Sequence, residues 1–336
     1  MMKSDPVRIA LIGFGAFGKF IAEALETSMQ VKLAAVVDPA AAGTTDLDAV
    51  LVDKNIQAVH IATPPNTHAD LALRALAAGK HVVIEKPLAL SPEEGQRIVA
   101  AAQKAQRTVA VGYILRYNPL LNAIRQLITA GVLGPVRYFR VDNLAHGVPA
   151  GHWFWDLKKS GGIQVEHGVH FIDAAAYLLG RSPDEASGTL YLRQNRNTEA
   201  LATVRYGQAI ASFWHGFIAQ RAELESTDWL IVGESGRVQL NGWIPATATV
   251  TASANDAARE ALGAGGWKVT ADSSELITAE QTLTQDKQTL YAESIRALWA
   301  DVAEAIRGNP APSASGEAGL ASLTAAWQSS RDRLAP

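Results

Sequence analysis

The chain of 336 residues contains no cysteine and only three methionines. Without thiols, disulfides, thiolate nucleophiles and cysteine-ligated metal are excluded. Long apolar runs are also missing. The longest near-continuous one, residues 108–115, is far short of the ~20 residues that cross a bilayer. Neither sign of charge dominates: thirty Lys and Arg oppose thirty-three Asp and Glu, for a net charge of −3. That balance offers nucleic acid or an anionic membrane no electrostatic footing as partner. Asp5, Pro6 and Arg8 precede the first apolar stretch, so neither a signal-peptide core nor a twin arginine is expected there, and the expected location is the cytoplasm.

What is present is a soluble globular composition, 48% hydrophobic and 19% charged, long enough for two domains with separate cores. Its most telling motif is Gly13-Phe14-Gly15-Ala16-Phe17-Gly18, which follows an apolar strand at 7–12 and opens a helix at 16–28. Gly13 permits the tight turn. Gly15 lets backbone approach a pyrophosphate at the helix N-terminus, where N–H groups and the dipole favour anions. Gly18 allows close helix–strand packing. Twenty residues on, Asp38 ends a second apolar run, at the spacing of an acid that accepts from an adenosine ribose. Its carboxylate would repel a 2′-phosphate, so NAD is expected over NADP.

Residues 1–120 alternate strand and helix signals, with strands at 7–12, 31–37, 58–62, 81–84 and 109–112 and helices at 16–28, 46–53, 68–78 and 92–104. This is the pattern of a doubly wound parallel sheet, α/β in class. Ser91-Pro92-Glu93-Glu94 reads as a helix start, and Gly79 as the end of the preceding helix. After a helix at 119–130 the pattern changes. Strands at 136–143, 187–193, 201–206, 208–217, 229–232 and 247–252 predict an α+β domain over 121–336 with a large, open, mostly antiparallel sheet. Helices are expected at 163–179, 283–307 and 317–333, the last able to return to the first domain, and a loop or weak helix at 253–275.

Three further constellations could carry chemistry. Glu85-Lys86-Pro87 stands at the carboxyl end of a strand, where open α/β sheets bind ligands, although a surface lysine at a strand exit is common. Thr63-Pro64-Pro65-Asn66-Thr67-His68 follows another strand end. Its prolines stiffen a loop able to lie against a nicotinamide, Asn66 or Thr67 could cap the next helix, and His68 reads more readily as solvated than as catalytic. In the segment 161–173, Glu166 and His170 are four apart on one helix face, with Asp173 a turn later and His167 adjacent. An imidazole oriented by a carboxylate is a general acid–base candidate; the blander reading is an exposed ion-paired face. Metal binding by His167, His170 and Asp173 is discounted, because Ile163 stands where an inverted zinc motif needs histidine. Upstream, Trp153, Trp155 and Lys158 lie in a loop that suits sugar stacking, or that plugs a core.

Together these residues resemble the oxidoreductases grouped around glucose–fructose oxidoreductase, inositol dehydrogenase and the rhizopine-catabolism protein. The resemblance rests on 13–18, Ala62-Thr63-Pro64-Pro65, Glu85-Lys86-Pro87, Gly112-Tyr113, Arg116-Tyr117-Asn118-Pro119, 161–173 and the tail 316–330. It implies a Rossmann domain and a C-terminal domain whose open sheet mediates homodimers or homotetramers. It further implies that Lys86 lies beside the nicotinamide and that His170 is the catalytic histidine. Glu166 stands where the family usually has aspartate. The implied activity is hydride transfer between NAD and a secondary alcohol or carbonyl of a sugar, cyclic polyol or derivative. The implied cofactor contacts are Gly13, Phe14, Gly15, Ala16, Phe17, Gly18, Asp38, Thr63, Pro64, Asn66, His68, Glu85 and Lys86. Arg116, Tyr117, Trp153, Trp155, Lys158 and His167 are expected to meet substrate. Redox-cycling glycosidases or epimerases of the same fold, and a non-catalytic sugar or dinucleotide sensor, are the alternatives.

Overall fold

The computed structural model describes residues 5–41, 45–193, 196–331 and 333–334. The first third alternates β1 (Val7–Ile12), α1 (Ala16–Leu25), β2 (Val31–Val37), α2 (Leu47–Val52), β3 (Ala58–Ile61), α3 (His68–Ala77), β4 (His81–Ile84), α4 (Pro92–Ala105) and β5 (Val109–Val111). The five strands pair in parallel in the order β2-β1-β3-β4-β5. A parallel sheet with helical crossovers is covered on both faces, so its strands are continuously apolar rather than alternating. Ile9, Ala10, Leu11, Val59, Ile61, Val82, Val83 and Ile84 are accordingly all buried. The order reverses between β1 and β3, and the carboxyl ends flanking such a switch point form the crevice where open α/β sheets bind ligands.

The remainder contains α5 (Pro119–Thr129), β6 (Val136–His146), α6 (Leu157–Ser160), α7 (Val169–Leu179), β7 (Glu185–Arg193), β8 (Arg196–Tyr206), β9 (Ala209–Ala219), β10 (Ser226–Gly233), β11 (Gly236–Asn241), β12 (Thr247–Ser253), α8 (Asp256–Ala264), β13 (Lys268–Asp272), β14 (Leu276–Thr282), α9 (Lys287–Ile306), α10 (Gly316–Gln328) and β15 (Arg333–Leu334). Its ten strands form one sheet in the order β13-β14-β12-β11-β10-β6-β9-β8-β7-β15. Pairing is antiparallel except between β6 and β9 and between β15 and β7.

Two compact units result, each discontinuous in sequence. The first comprises residues up to Ile114, with Asp156–Gly161 and Tyr291–Thr324. The second comprises Leu115–Trp155, Gly162–Leu290 and the residues from Ala325 on. Within the first, α9 buries Ile295, Leu298, Trp299 and Val302 completely. There α10 lies so close to β5 that a β-carbon at Gly319 would stand 2.5 Å from the Val111 side chain. Ser91 caps α4 by accepting from the Glu94 amide at 3.3 Å, and the Glu94 carboxylate accepts from the Leu90 amide at 3.1 Å. An N-cap of this kind contributes about 1 kcal/mol.

Several elements depart from expectation. Residues 163–179 are not one regular helix: a π-helical turn, Gln164–Gly168, precedes α7. Gly168 allows it, since a β-carbon there would meet the Gln164 amide at 2.8 Å. The segment 253–275 holds the expected helix and loop residues, but also a strand that was not expected. Asn255 accepts from the Ala258 amide and caps α8, after which edge strand β13 has only exposed residues and so carries no alternating pattern. Strands β11 and β14 fall outside the expected set altogether. The expected helix at 317–333 ends at Gln328, with Arg333–Leu334 in a strand and position 332 outside the described residues.

His215, central in β9, is fully buried and stacked on Phe171 with ring centroids 5.2 Å apart. Among the described residues neither of its ring nitrogens has a hydrogen-bond partner, and burial pushes its pKa down to about 3. The unfolded chain takes up a proton on this ring below about pH 6.5, whereas the folded chain does so only near pH 3. Stability is therefore lost as pH falls through that window. At pH 5 the loss is about 2 kcal/mol, at ~1.4 kcal/mol per unit. Urea unfolding of His215→Phe at pH 7.5 and pH 5 should show a fall in stability smaller than the parent's by that amount; equal falls would refute the assignment.

Candidate active site

The first cluster is built on the β1–α1 turn. Gly13 has φ +98°, and a β-carbon there would sit 2.6 Å from the Ala62 carbonyl oxygen; at Gly18 it would sit 2.2 Å from the Gly13 carbonyl oxygen. These two glycines are required by packing. Gly15 is not: among the described residues nothing lies within 4 Å of its missing β-carbon, and it N-caps α1 without a side-chain cap. Gly15 and Ala16 are exposed, which leaves the N-terminal amides of a ten-residue helix approachable by an anion. Phe14 is half-buried beneath Lys19, and Phe17 packs on Phe20 and Tyr291.

Asp38 is drawn to this turn. Its carboxylate accepts from the Phe14 amide at 2.6 Å and from the Ala40 amide at 2.8 Å, and these bonds, the Phe14 amide foremost, hold its pKa below the ordinary aspartate value. A fixed anion beside an open helix N-terminus fits a dinucleotide whose pyrophosphate meets the amides and whose ribose diol meets the carboxylate.

The loops after β3 and β4 are tied together by His68. Its Nδ1 lies 2.8 Å from the Pro87 carbonyl oxygen and its Nε2 2.9 Å from that of Thr63. His68 is completely buried, which overturns the expectation of a solvated residue. Burial, its largest influence, lowers its pKa, so the neutral ring donates to one of the two carbonyls. The residue thus ties Thr63 to Pro87 rather than offering a polar atom outward. Asn66 is exposed, and Thr67 does not cap α3. Its hydroxyl donates to the Pro64 carbonyl at 2.8 Å and lies 2.6 Å from that of Thr63. Lys86 is half-buried at the end of β4, before a cis peptide to Pro87. Glu85 is buried and takes a hydrogen bond from His60. Lys158, on exposed α6, belongs to this first unit, where α6 packs on residues Pro65–Thr67.

The second cluster lies wholly in the second unit. His170 is buried, with its ring 5.1 Å from that of Trp243 and 6.0 Å from that of His167. His167 also meets Phe217 at 5.0 Å, and its Nε2 lies 3.2 Å from the Asn143 amide nitrogen. The Thr227 hydroxyl donates to the Asn143 carbonyl oxygen at 2.9 Å, which aims the Asn143 amide at His167. The buried Glu166 sits in the π-helical turn.

Asp173 and Arg116 form an ion pair. Arg116 donates Nε and Nη2 to the two carboxylate oxygens of Asp173 at 2.7 and 2.8 Å, and both residues are buried. Asp173 is therefore a counter-ion to Arg116, whose fork is engaged within the fold. Tyr117 is half-buried beside Arg116. Trp153 and Trp155 pack on the buried cluster of Phe154, Ile163, Leu190 and Ala200. The Trp155 indole N–H points to the carbonyls of Val148 and Pro149, so this loop acts chiefly as a plug. Trp243, Asn143 and His60 were missed. A lone histidine within the apolar run Ala58-Val59-His60-Ile61 was the available signal for the last. Among the described residues no group of three or more His, Asp or Glu could hold a metal ion.

Two family models cover nearly the whole chain. Residues 7–113 match the oxidoreductase family's NAD-binding Rossmann fold, and residues 125–334 match its C-terminal alpha/beta domain. The chain belongs to this oxidoreductase family. Its first unit thus carries an NAD-binding Rossmann domain. Scyllo-inositol 2-dehydrogenase (NAD(+)) of Bacillus subtilis is 34% identical over 199 residues, 54% of this chain and 56% of that protein. Inositol 2-dehydrogenase of Rhizobium meliloti is 32% identical over 54% of this chain and 58% of its own length. The chain thus spans little more than half the length of these curated relatives. An oxidoreductase domain protein from Kribbella flavida shares the fold over 98% of both chains, with TM-score 0.80 and 22% identity.

Asp173→Asn keeps the side chain's shape and removes its charge, leaving a buried guanidinium uncompensated. It should lower unfolding free energy by about 3–5 kcal/mol. Denaturant titration checks this, and a loss below about 1 kcal/mol would show that the pair is not structural.

Proposed function

We propose that the protein is an NAD-dependent oxidoreductase acting on CH–OH groups, transferring hydride between nicotinamide and a secondary alcohol or carbonyl of a sugar, cyclic polyol or derivative. The observation that carries this reading is Lys86 at the carboxyl end of β4, in the same unit as an open glycine turn with an oriented Asp38. The inositol dehydrogenases among the relatives support the substrate class.

Residues 13–18 and Asp38 would hold the dinucleotide, with Thr63, Pro64, Asn66, Glu85 and Lys86 toward its nicotinamide half. Bound NAD+ supplies a hydride acceptor. His170 is assigned the role of general base for the substrate hydroxyl, and Lys86 that of the cation at the nicotinamide end of the dinucleotide. Glu166 orients the imidazole or holds a neighbouring hydroxyl. His167, Tyr117 and Lys158 are the substrate contacts of this reading. An anionic Asp38 favours NAD+ over NADP+.

The test is a panel of sugars and polyols with NAD+ and NADP+, read as absorbance of reduced cofactor. NAD+ should be preferred, and Lys86→Ala and His170→Ala should each reduce kcat by about 10²–10⁴ while NADH binding persists. Near-parent turnover in both variants would sink the assignment.

A cytoplasmic homodimer or homotetramer joined through the second unit's sheet completes the proposal. Among the described residues no helix is long and apolar enough to cross a membrane. Leu201, Ile210 and Ile218 are exposed, and Leu201 pairs with Trp214 of the same β9 face as Ile210 and Ile218. Light scattering should return at least twice the 35.7 kDa chain mass, and a monomer for Ile210→Glu; a monomeric parent refutes it.

A further inference from the structure

His60, Trp299 and Glu85 form a buried chain inside the first unit. The Trp299 indole N–H donates to His60 Nδ1 at 3.1 Å, and His60 Nε2 lies 3.1 Å from Glu85 Oε1. His60 and Trp299 have no solvent exposure, and Glu85 is 6% exposed. An indole N–H can only donate, so Nδ1 must accept; the neutral ring then carries its proton on Nε2 and donates it to the carboxylate. The far side of the carboxylate is fixed by Gly112, where a β-carbon would stand 2.5 Å from Oε2 and 2.7 Å from Oε1. Position 112 is therefore kept clear for this anion. A buried carboxylate carries a desolvation penalty unless donors surround it, and an ionised one accepts several hydrogen bonds beyond the one from His60. Packing alone does not explain an imidazole within an apolar strand. An imidazole whose tautomer is dictated from behind and whose proton points at the residue preceding Lys86 is explained by a need to aim that carboxylate.

We propose that His60, locked in the Nε2–H tautomer by Trp299, is a positioning residue that aims Glu85 at hydrogen-bond donors on the nicotinamide-riboside half of the bound dinucleotide. This rests on the cofactor reading above. It adds that Glu85, His60 and Trp299 discriminate that half of the cofactor from the adenosine half, which Asp38 and the glycine turn serve.

The first test uses the unsubstituted protein labelled with ¹⁵N-histidine. His60 should give a single Nε2-protonated neutral tautomer by NMR, and an Nδ1-protonated ring would overturn the proposal. The second compares NADH with ADP, which lacks the whole nicotinamide-riboside half, by calorimetric titration. In His60→Leu, NADH affinity should fall about tenfold, the effect of removing a donor to a charged group, while ADP affinity holds. His60→Gln offers a carbonyl to Trp299 and an amide N–H to Glu85, and should retain NADH affinity near the parent's. Parallel losses for both ligands in His60→Leu, or no loss in a variant with parent-like circular dichroism, overturn the proposal alone. A parent protein that binds neither ligand overturns the cofactor reading and the proposal together.

Discussion

A single backbone contact governs the dinucleotide end of the molecule: the carbonyl of Ala62 occupies the space a side chain at position 13 would need. Strands β1 and β3 are neighbours in the sheet, and the chain leaves both at the same edge. The turn out of β1 can therefore close only if position 13 has no β-carbon and accepts a positive φ. Once closed, the turn sets where α1 begins, brings Phe14's amide to Asp38, and forces Gly18 against Gly13. Gly15 belongs to a different category. Among the described residues no atom claims its missing side chain, so what it leaves open is available to a ligand rather than to the fold.

Much of this was legible in the sequence because each feature has a local cause. The strand, turn, helix and acid around 13–38 follow from periodicity and glycine placement, and the Ser91 cap from adjacent residue types. Non-local pairings were not legible. Asp173 and Arg116, 57 positions apart, read as site residues because carboxylate and guanidinium look alike whether they meet a ligand or each other. His68 read as solvated because helix N-termini are usually wet, and nothing nearby announced the Pro87 carbonyl. Strand β13 lacked a buried face and so lacked a pattern. The π-helical turn at Gln164–Gly168 required knowing that an amide side chain would fold over Gly168.

The second unit keeps one buried ion pair apart from the rings around His170. The ion pair of Arg116 with Asp173 is sealed inside and accompanied by Tyr206, whose hydroxyl donates to the Ile172 carbonyl at 2.8 Å. The face bearing His170 is composed instead of imidazoles and indole: His167, His170, Trp243 and the inert His215 behind them. Such a surface offers flat apolar area with a few directional polar atoms. That is the character expected of a site for neutral, hydroxyl-rich molecules rather than phosphorylated ones.

The lid on β3 arrives late. Trp299, which covers His60, and the α10 residues that fit against β5 are synthesised some two hundred positions after the strands they cover. On the ribosome, the five-stranded sheet is thus sealed long after its strands are made, and until residue 324 emerges its flank presents bare apolar strands. A nascent chain of this kind has reason to depend on holding factors during translation, and severing it near position 120 would yield an open sheet rather than an autonomous nucleotide-binding module.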